Sequence, residues 1–133
     1  MILLDTHVLI WVDTGDRRLG RKARDLIESN WTAGNVGVSA LTFWEVGLLY
    51  ERGRYRPALP LSEWRKKWLL SGLAELPLDG AIATRALDLN GLSPDPADRF
   101  IAATAIVNEA TLLTADTLML DWQHPLVRHD AKT

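Results

Sequence analysis

Ile2-Leu3-Leu4-Asp5-Thr6-His7-Val8-Leu9-Ile10-Trp11 begins with three apolar residues, then a carboxylate, then a second apolar stretch. An apolar run without polar alternation reads as a short strand covered on both faces. Asp5-Thr6 then offers N-cap chemistry to a helix over 7–12. Working outward, Val36–Ser39 repeats the strand pattern, and Thr111–Thr114 repeats it with Ala115-Asp116 behind it. Leu76–Leu78 and Leu126–Arg128 are weaker strand candidates. Helical stretches separate these runs. Gly20–Ala33 carries Ala23, Leu26, Ile27 and Trp31 at helical spacing, with Gly34 where a C′ glycine belongs. Leu41–Arg52 stops at Gly53, Leu61–Leu70 follows, Ile82–Leu89 ends before Asn90-Gly91, and Pro96–Glu109 is the last long helix. Strands alternating with helices predict an α/β fold. The expected architecture is one domain over 1–133, a central mostly parallel sheet of four or five short strands with helices on both faces.

Composition narrows the function classes. The 133 residues are 47% hydrophobic and 24% charged, as in an ordinary globular chain, and contain no Cys. That excludes a disulfide scaffold, a Cys-ligated metal centre and a thiol nucleophile. No stretch reaches the roughly 18 apolar residues of a membrane span. Met1-Ile2-Leu3-Leu4-Asp5 also lacks the basic start of a signal peptide, so a cytoplasmic protein is expected. The net charge of -2 argues against a simple phosphate-coating protein. Charge is unevenly spread, however. Residues 1–67 hold 11 basic and 8 acidic side chains, and residues 68–133 hold 4 and 9. The basic excess sits in three knots: Arg17, Arg18, Arg21, Lys22 and Arg24; then Arg52, Arg54 and Arg56; then Arg65, Lys66 and Lys67.

In a parallel sheet, ligands bind beyond the carboxyl ends of the strands. Asp5 follows the first strand, Glu45 lies early in the helix after the second, Asp98 opens the long helix before the fourth, and Asp116 follows that strand. Each acid also has a structural explanation. Asp5 and Asp116 suit N-caps, Thr42-Phe43-Trp44-Glu45 matches a capping box, and Asp95-Pro96-Ala97-Asp98 places Asp95 at N-cap and Asp98 at N3. Four anions converging at one sheet edge repel one another unless a cation sits among them. Oxygen-only ligands favour Mg²⁺ or Mn²⁺, one or two ions, over zinc. Such a site suits phosphodiester hydrolysis and equally a phosphoryl-accepting carboxylate, so spacing alone leaves both open. A Walker loop, a GxGxxG turn and a GxSxG elbow are all absent. Of the six Trp, residues 11, 31 and 44 are expected in the core, and Trp64 and Trp68, one turn apart, form a possible partner surface.

Leu3-Leu4-Asp5-Thr6-His7-Val8-Leu9-Ile10-Trp11, Ser39…Trp44-Glu45, Asp95-Pro96-Ala97-Asp98-Arg99-Phe100-Ile101-Ala102-Ala103-Thr104-Ala105 and Leu112-Leu113-Thr114-Ala115-Asp116 together resemble the PIN-domain ribonucleases. Among these they look most like VapC-type toxins of type II toxin–antitoxin systems. The matches run in order from residue 3 to 116. The resemblance implies a PIN-like fold and a Mg²⁺- or Mn²⁺-dependent endoribonuclease. Asp5, Glu45, Asp98 and Asp116 would be its catalytic and metal-holding acids. It further implies assistance from Thr6 or Thr114, a cap or outer-shell role for Asp95, and a phosphate or Asp95 contact for Arg99. The implied partners are RNA, a cognate antitoxin and a second copy of the chain. One departure stands out: the subgroup commonly carries Lys four residues after the glutamate, where this chain has Leu49.

Two further readings stay open at this stage. A catalytically inert PIN scaffold, binding RNA or protein, would account for Leu49 and for acids that serve as caps. A phospho-acceptor receiver or a dehalogenase-like phosphatase would use Asp5, although the latter expects Asp where His7 stands. On the ribonuclease reading, two divalent ions would offset the four carboxylates and move the net charge to about +2, which makes RNA binding depend on metal.

Overall fold

The computed structural model describes residues 1–133. Five strands, β1 (Ile2–Leu4), β2 (Val36–Ser39), β3 (Ala74–Leu76), β4 (Thr111–Thr114) and β5 (Arg128–Asp130), form one sheet in the order β3-β2-β1-β4-β5. Every pairing is parallel. The helices are α1 (Thr6–Thr14), α2 (Arg21–Trp31), α3 (Leu41–Glu51), α4 (Leu61–Leu70), α5 (Gly80–Leu87), α6 (Pro96–Val107) and α7 (Thr117–Asp121). None is long and apolar enough to cross a membrane.

The apolar runs divide between two cores, because successive strand side chains face opposite ways. Ile2, Leu4, Val36, Val38 and Leu113 pack with residues of α1 to α4 on one face. Leu3 and Leu112 pack on the other with Ile82 and Ala86 of α5, the alanine-rich face of α6 and Met119 of α7. Burial on both sides is why these strands read as continuous apolar runs. The helix–sheet sandwich expected from the sequence is therefore what the chain forms.

Two strands are displaced from their expected positions. β3 is Ala74-Glu75-Leu76, two residues earlier than Leu76–Leu78. Pro77 has no N–H for the ladder and ends the strand there. β5 is Arg128-His129-Asp130 rather than Leu126–Arg128, a polar and half-buried edge strand that no apolar pattern marks. It is held by Arg128, whose guanidinium donates to the carbonyls of Met119, Trp122, His124 and Leu126 at 2.6–3.0 Å.

The tryptophans also require correction. Trp64 is 1% exposed, so it is core and not a partner surface. Phe43, Tyr55 and Trp68 meet it edge-on with centroids at 6.0, 6.3 and 6.2 Å. Trp68 is half-buried and touches Trp31 in the same way at 6.1 Å. Trp64 and Trp68 do share a helix face, but that face turns inward. Trp44, expected in the core, is 57% exposed, because Phe43 and Val46 take the inward positions of α3.

Strand order decides where a site can form. The chain winds from β1 to β2 to β3 on one side, then crosses back to place β4 on the other side of β1. The connections therefore reverse direction between β1 and β4, and the carboxyl ends of these two strands open a crevice.

Candidate active site

Asp5 stands at the carboxyl end of β1 and caps α1, 4% exposed. Its Oδ1 accepts the Thr6 amide at 2.8 Å, and its Oδ2 accepts the Thr114 hydroxyl from the end of β4 at 2.7 Å. The Thr114 oxygen in turn accepts the Asp116 amide at 3.1 Å. One buried hydroxyl thus ties together the two acids that follow adjacent strands. Asp116 caps α7, its Oδ1 accepting the Leu118 amide at 2.9 Å.

Glu45 does not close a capping box. Position 40 caps α3 without a side-chain bond, and Glu45 turns to the site, where its Oε1 accepts the Thr6 hydroxyl at 2.5 Å. Thr42, read from sequence as the other half of that box, lies buried with its Oγ1 3.0 Å from Thr6 Oγ1. Thr6 has a single hydroxyl hydrogen and gives it to Glu45, so Thr42 donates to Thr6. The relay Thr42, Thr6, Glu45 is invisible in sequence because it joins α1 to α3 across 36 and 39 positions.

Asp95 and Asp98 open α6 as cap and first-turn acid. Asp95 is exposed and accepts the Ala97 amide at 2.9 Å. Asp98 alone among the five acids has no hydrogen-bond donor. Burial raises its carboxyl to about 7, helped by the charges of Asp5, Asp95, Asp116 and Glu45. Glu45 is raised too, first by burial and further by Asp5 and Asp95, against the lowering effect of its Thr6 bond. Arg99 meets neither Asp95 nor an open phosphate position, because its guanidinium donates to the carbonyls of Ala86 and Leu92 at 3.0 and 3.2 Å. It braces the loop before α6.

His7 comes closer than a plain helix-face histidine. Its Nε2 accepts the Ala115 amide at 2.9 Å, so the neutral ring carries its hydrogen on Nδ1, 3.7 Å from Asp5 Oδ2. No Lys or Arg is ion-paired with any of the five acids.

The donor set fits a hard divalent cation. It is built of carboxylate and hydroxyl oxygens, carries uncompensated negative charge, and keeps one carboxyl free of hydrogen bonds. As the side chains stand, no three Asp, Glu or His groups close around one point. A cavity of about 550 Å³ between α3 and the Arg56–Leu61 segment touches none of these acids.

Comparison with known proteins follows the same line. The family profile described as "PIN domain" matches residues 2–121. Ribonuclease VapC22 of Mycobacterium tuberculosis is 33% identical over 125 residues, covering 93% of each chain. VapBC2 of Rickettsia felis, solved bound to a promoter DNA fragment, superposes with a TM-score of 0.69 at 18% identity over 97% of this chain and 98% of that one. FitAcB of Neisseria gonorrhoeae gives 0.59 at 25% identity over 90% of each.

Proposed function

The chain belongs to the PIN-domain family, and from that premise we infer that it is a divalent-metal-dependent endoribonuclease serving as the toxin of a toxin–antitoxin pair. One observation carries the reading. Asp5, Glu45, Asp98 and Asp116 come from four separate segments, yet the first, second and last lie near enough for their charges to act on Asp98, and none of the four is ion-paired with Lys or Arg. Like charges this close repel one another, and a bound cation would relieve that repulsion.

These four carboxylates would hold Mg²⁺ or Mn²⁺, one or two ions, with Asp95 in support. Bound there, the ion supplies positive charge for a phosphate oxygen and lowers the pKa of the attacking water. The chain's own contribution is positional. Thr114 fixes Asp5 from β4, and Thr6, backed by Thr42, fixes Glu45 from α1, so two acids are held by hydroxyls that cannot swing away. Asp98 keeps its proton up to about pH 7 in the metal-free chain, and a cation held there would favour its ionised form. Hydrolysis joins a water oxygen to phosphorus and breaks the bond to one ribose oxygen, which leaves with a proton.

The partners follow from the relatives. A toxin–antitoxin complex from Klebsiella pneumoniae superposes on this chain with a TM-score of 0.64, which supports a cognate antitoxin, and a homodimer is proposed with it. The chain is proposed to act in the cytoplasm as one domain over 1–133. The inert-scaffold reading retains Leu49 but loses one of its caps, since Glu45 faces the site and not the end of α3.

The test is RNA cleavage with Mg²⁺ or Mn²⁺ by wild type, Asp5→Asn and Asp98→Asn. Each variant should fold and lose at least about 100-fold in rate, the scale on which single transition-state electrostatic contacts act. Cleavage at the wild-type rate by either variant overturns the site. Calorimetric titration with Mn²⁺ separates the inert scaffold, which binds none.

A further inference from the structure

Next to Asp116 lies a second feature, a cavity of about 530 Å³ on the His7 side of the acids. Its floor includes Ile10, Leu49 and Tyr55, all half-buried, and its rim carries Arg18, Arg54 and Lys132. The three cations come from the α1–α2 loop, the turn after α3 and the segment after β5, so only the fold brings them together. Arg18 is fixed in place. Its guanidinium lies 4.9 Å over the Trp11 ring and pairs with Asp16 at 2.7 Å. Arg54 and Lys132 are exposed, and their side chains have neither an ion pair nor a hydrogen bond. Tyr55 is held by its hydroxyl donating to Asp13, which leaves its ring as a fixed platform. The third basic knot takes no part. Arg65 is occupied by Glu75 at 2.6 Å, and Lys66 and Lys67 project from α4.

We propose that this cavity seats the RNA nucleotide next to the bond being cut, with its base on Tyr55 and Leu49 and its flanking phosphates on Arg54, Lys132 and Arg18. The inference rests on the ribonuclease reading and adds to it the residues that hold the strand. The chemistry selects this occupant. A single-stranded nucleotide presents a flat apolar face and anionic phosphates in one unit, and single-strand sites pair stacking platforms with cations in this way. The volume falls within the range of small-ligand pockets. The cavity also shares Asp116 with the acidic site, so a strand seated here continues directly onto the acids. Leu49 gains a role on this account: where the resembling subgroup carries a lysine, this chain has an apolar floor ringed by cations from other elements.

The experiment measures binding separately from cleavage. A fluorescent 2′-O-methyl oligonucleotide, verified uncut on a gel after each run, is titrated with Mg²⁺-loaded protein by anisotropy at several salt concentrations. Arg54→Ala and Lys132→Ala should each weaken binding about 5- to 10-fold and lower the salt slope by about 0.7. Lys66→Ala, the same charge removed from α4, should leave both unchanged. An abasic residue moved along the oligonucleotide should cost about 10-fold at one position only. Equal binding by wild type, Arg54→Ala and Lys132→Ala overturns the proposal, as does an abasic scan without a minimum. So does an acidic peptide that needs Arg54 and Lys132 while the oligonucleotide does not. Failure of wild type to cleave RNA bears on the ribonuclease reading alone, because the binding differences are read without turnover.

Discussion

Asp98→Asn should make the metal-free protein more stable at pH 8, although it removes a proposed catalytic group. In the folded chain the Asp98 carboxyl holds its proton to about pH 7, against an ordinary value of 3.8. The folded state therefore binds more protons than the unfolded state between these values. Stability falls as pH rises from about 4 to 7, and the full deficit persists above that. At about 1.4 kcal/mol per pH unit the deficit is bounded near 4 kcal/mol. Residual exposure of the carboxyl and relaxation of its neighbours reduce the expected gain in Asn to about 1–2 kcal/mol. For a domain of this size that is a rise in Tm of roughly 5 °C. Thermal melts in EDTA at pH 5 and pH 8 read the effect directly, with the gain present at pH 8 and much smaller at pH 5. Asn at 98 that melts with or below wild type at pH 8, or gains equally at both pH values, refutes the argument that Asp98 sits in uncompensated negative charge.

Other outcomes follow from the same contacts. Mg²⁺ or Mn²⁺ should stabilise wild type in a concentration-dependent way, by about 2.7 kcal/mol at a hundred times Kd, read as a rise in Tm, and should stabilise Asp98→Asn less. Thr114→Val should cost about 1–3 kcal/mol in urea unfolding, because buried Asp5 loses a donor and the Asp116 amide an acceptor, whereas Thr114→Ser should stay near wild type. Trp64→Ala should cost about 3–5 kcal/mol and Trp44→Ala less than about 1, and a reversed order in chemical denaturation would return Trp64 to the surface.

What the sequence discloses about this molecule follows from where each signal is stored. β1, β2 and β4 are legible because both their faces are apolar and their neighbours in sequence end them cleanly. β5 is not, because an edge strand of Arg128, His129 and Asp130 owes its pairing to the strand beside it and to Arg128 gripping four carbonyls. The acids could be ordered along the chain by their positions after strands and at helix starts, which are local facts. The direction each one faces is a tertiary fact. Glu45 satisfies a capping-box spacing and still leaves α3 uncapped, because the Thr6 hydroxyl offers a buried partner that spacing cannot reveal. Trp64 and Trp68 fail in the same manner, since helical periodicity groups residues on one face without saying which side of the molecule that face meets.

The central position of β1 has a consequence for motion. A strand hydrogen-bonded on both edges and buried on both faces opens only when the whole domain opens, so its amides should exchange at the global unfolding limit. Asp5, joined to β1 and tied to β4, inherits that immobility. Asp95 and Asp98 stand at the mouth of α6, behind the exposed Gly91 and Pro94 and outside any ladder. One side of the crevice is thus bolted to the slowest-exchanging part of the protein, while the other is held by helix and loop contacts, not by strand pairing. Drawing the acids together around a cation would accordingly bring the α6 entrance toward Asp5. Hydrogen exchange with and without Mn²⁺ should record a gain at residues 2–5 that matches the rise in global stability, and a separate gain at residues 91–98 read at shorter exchange times.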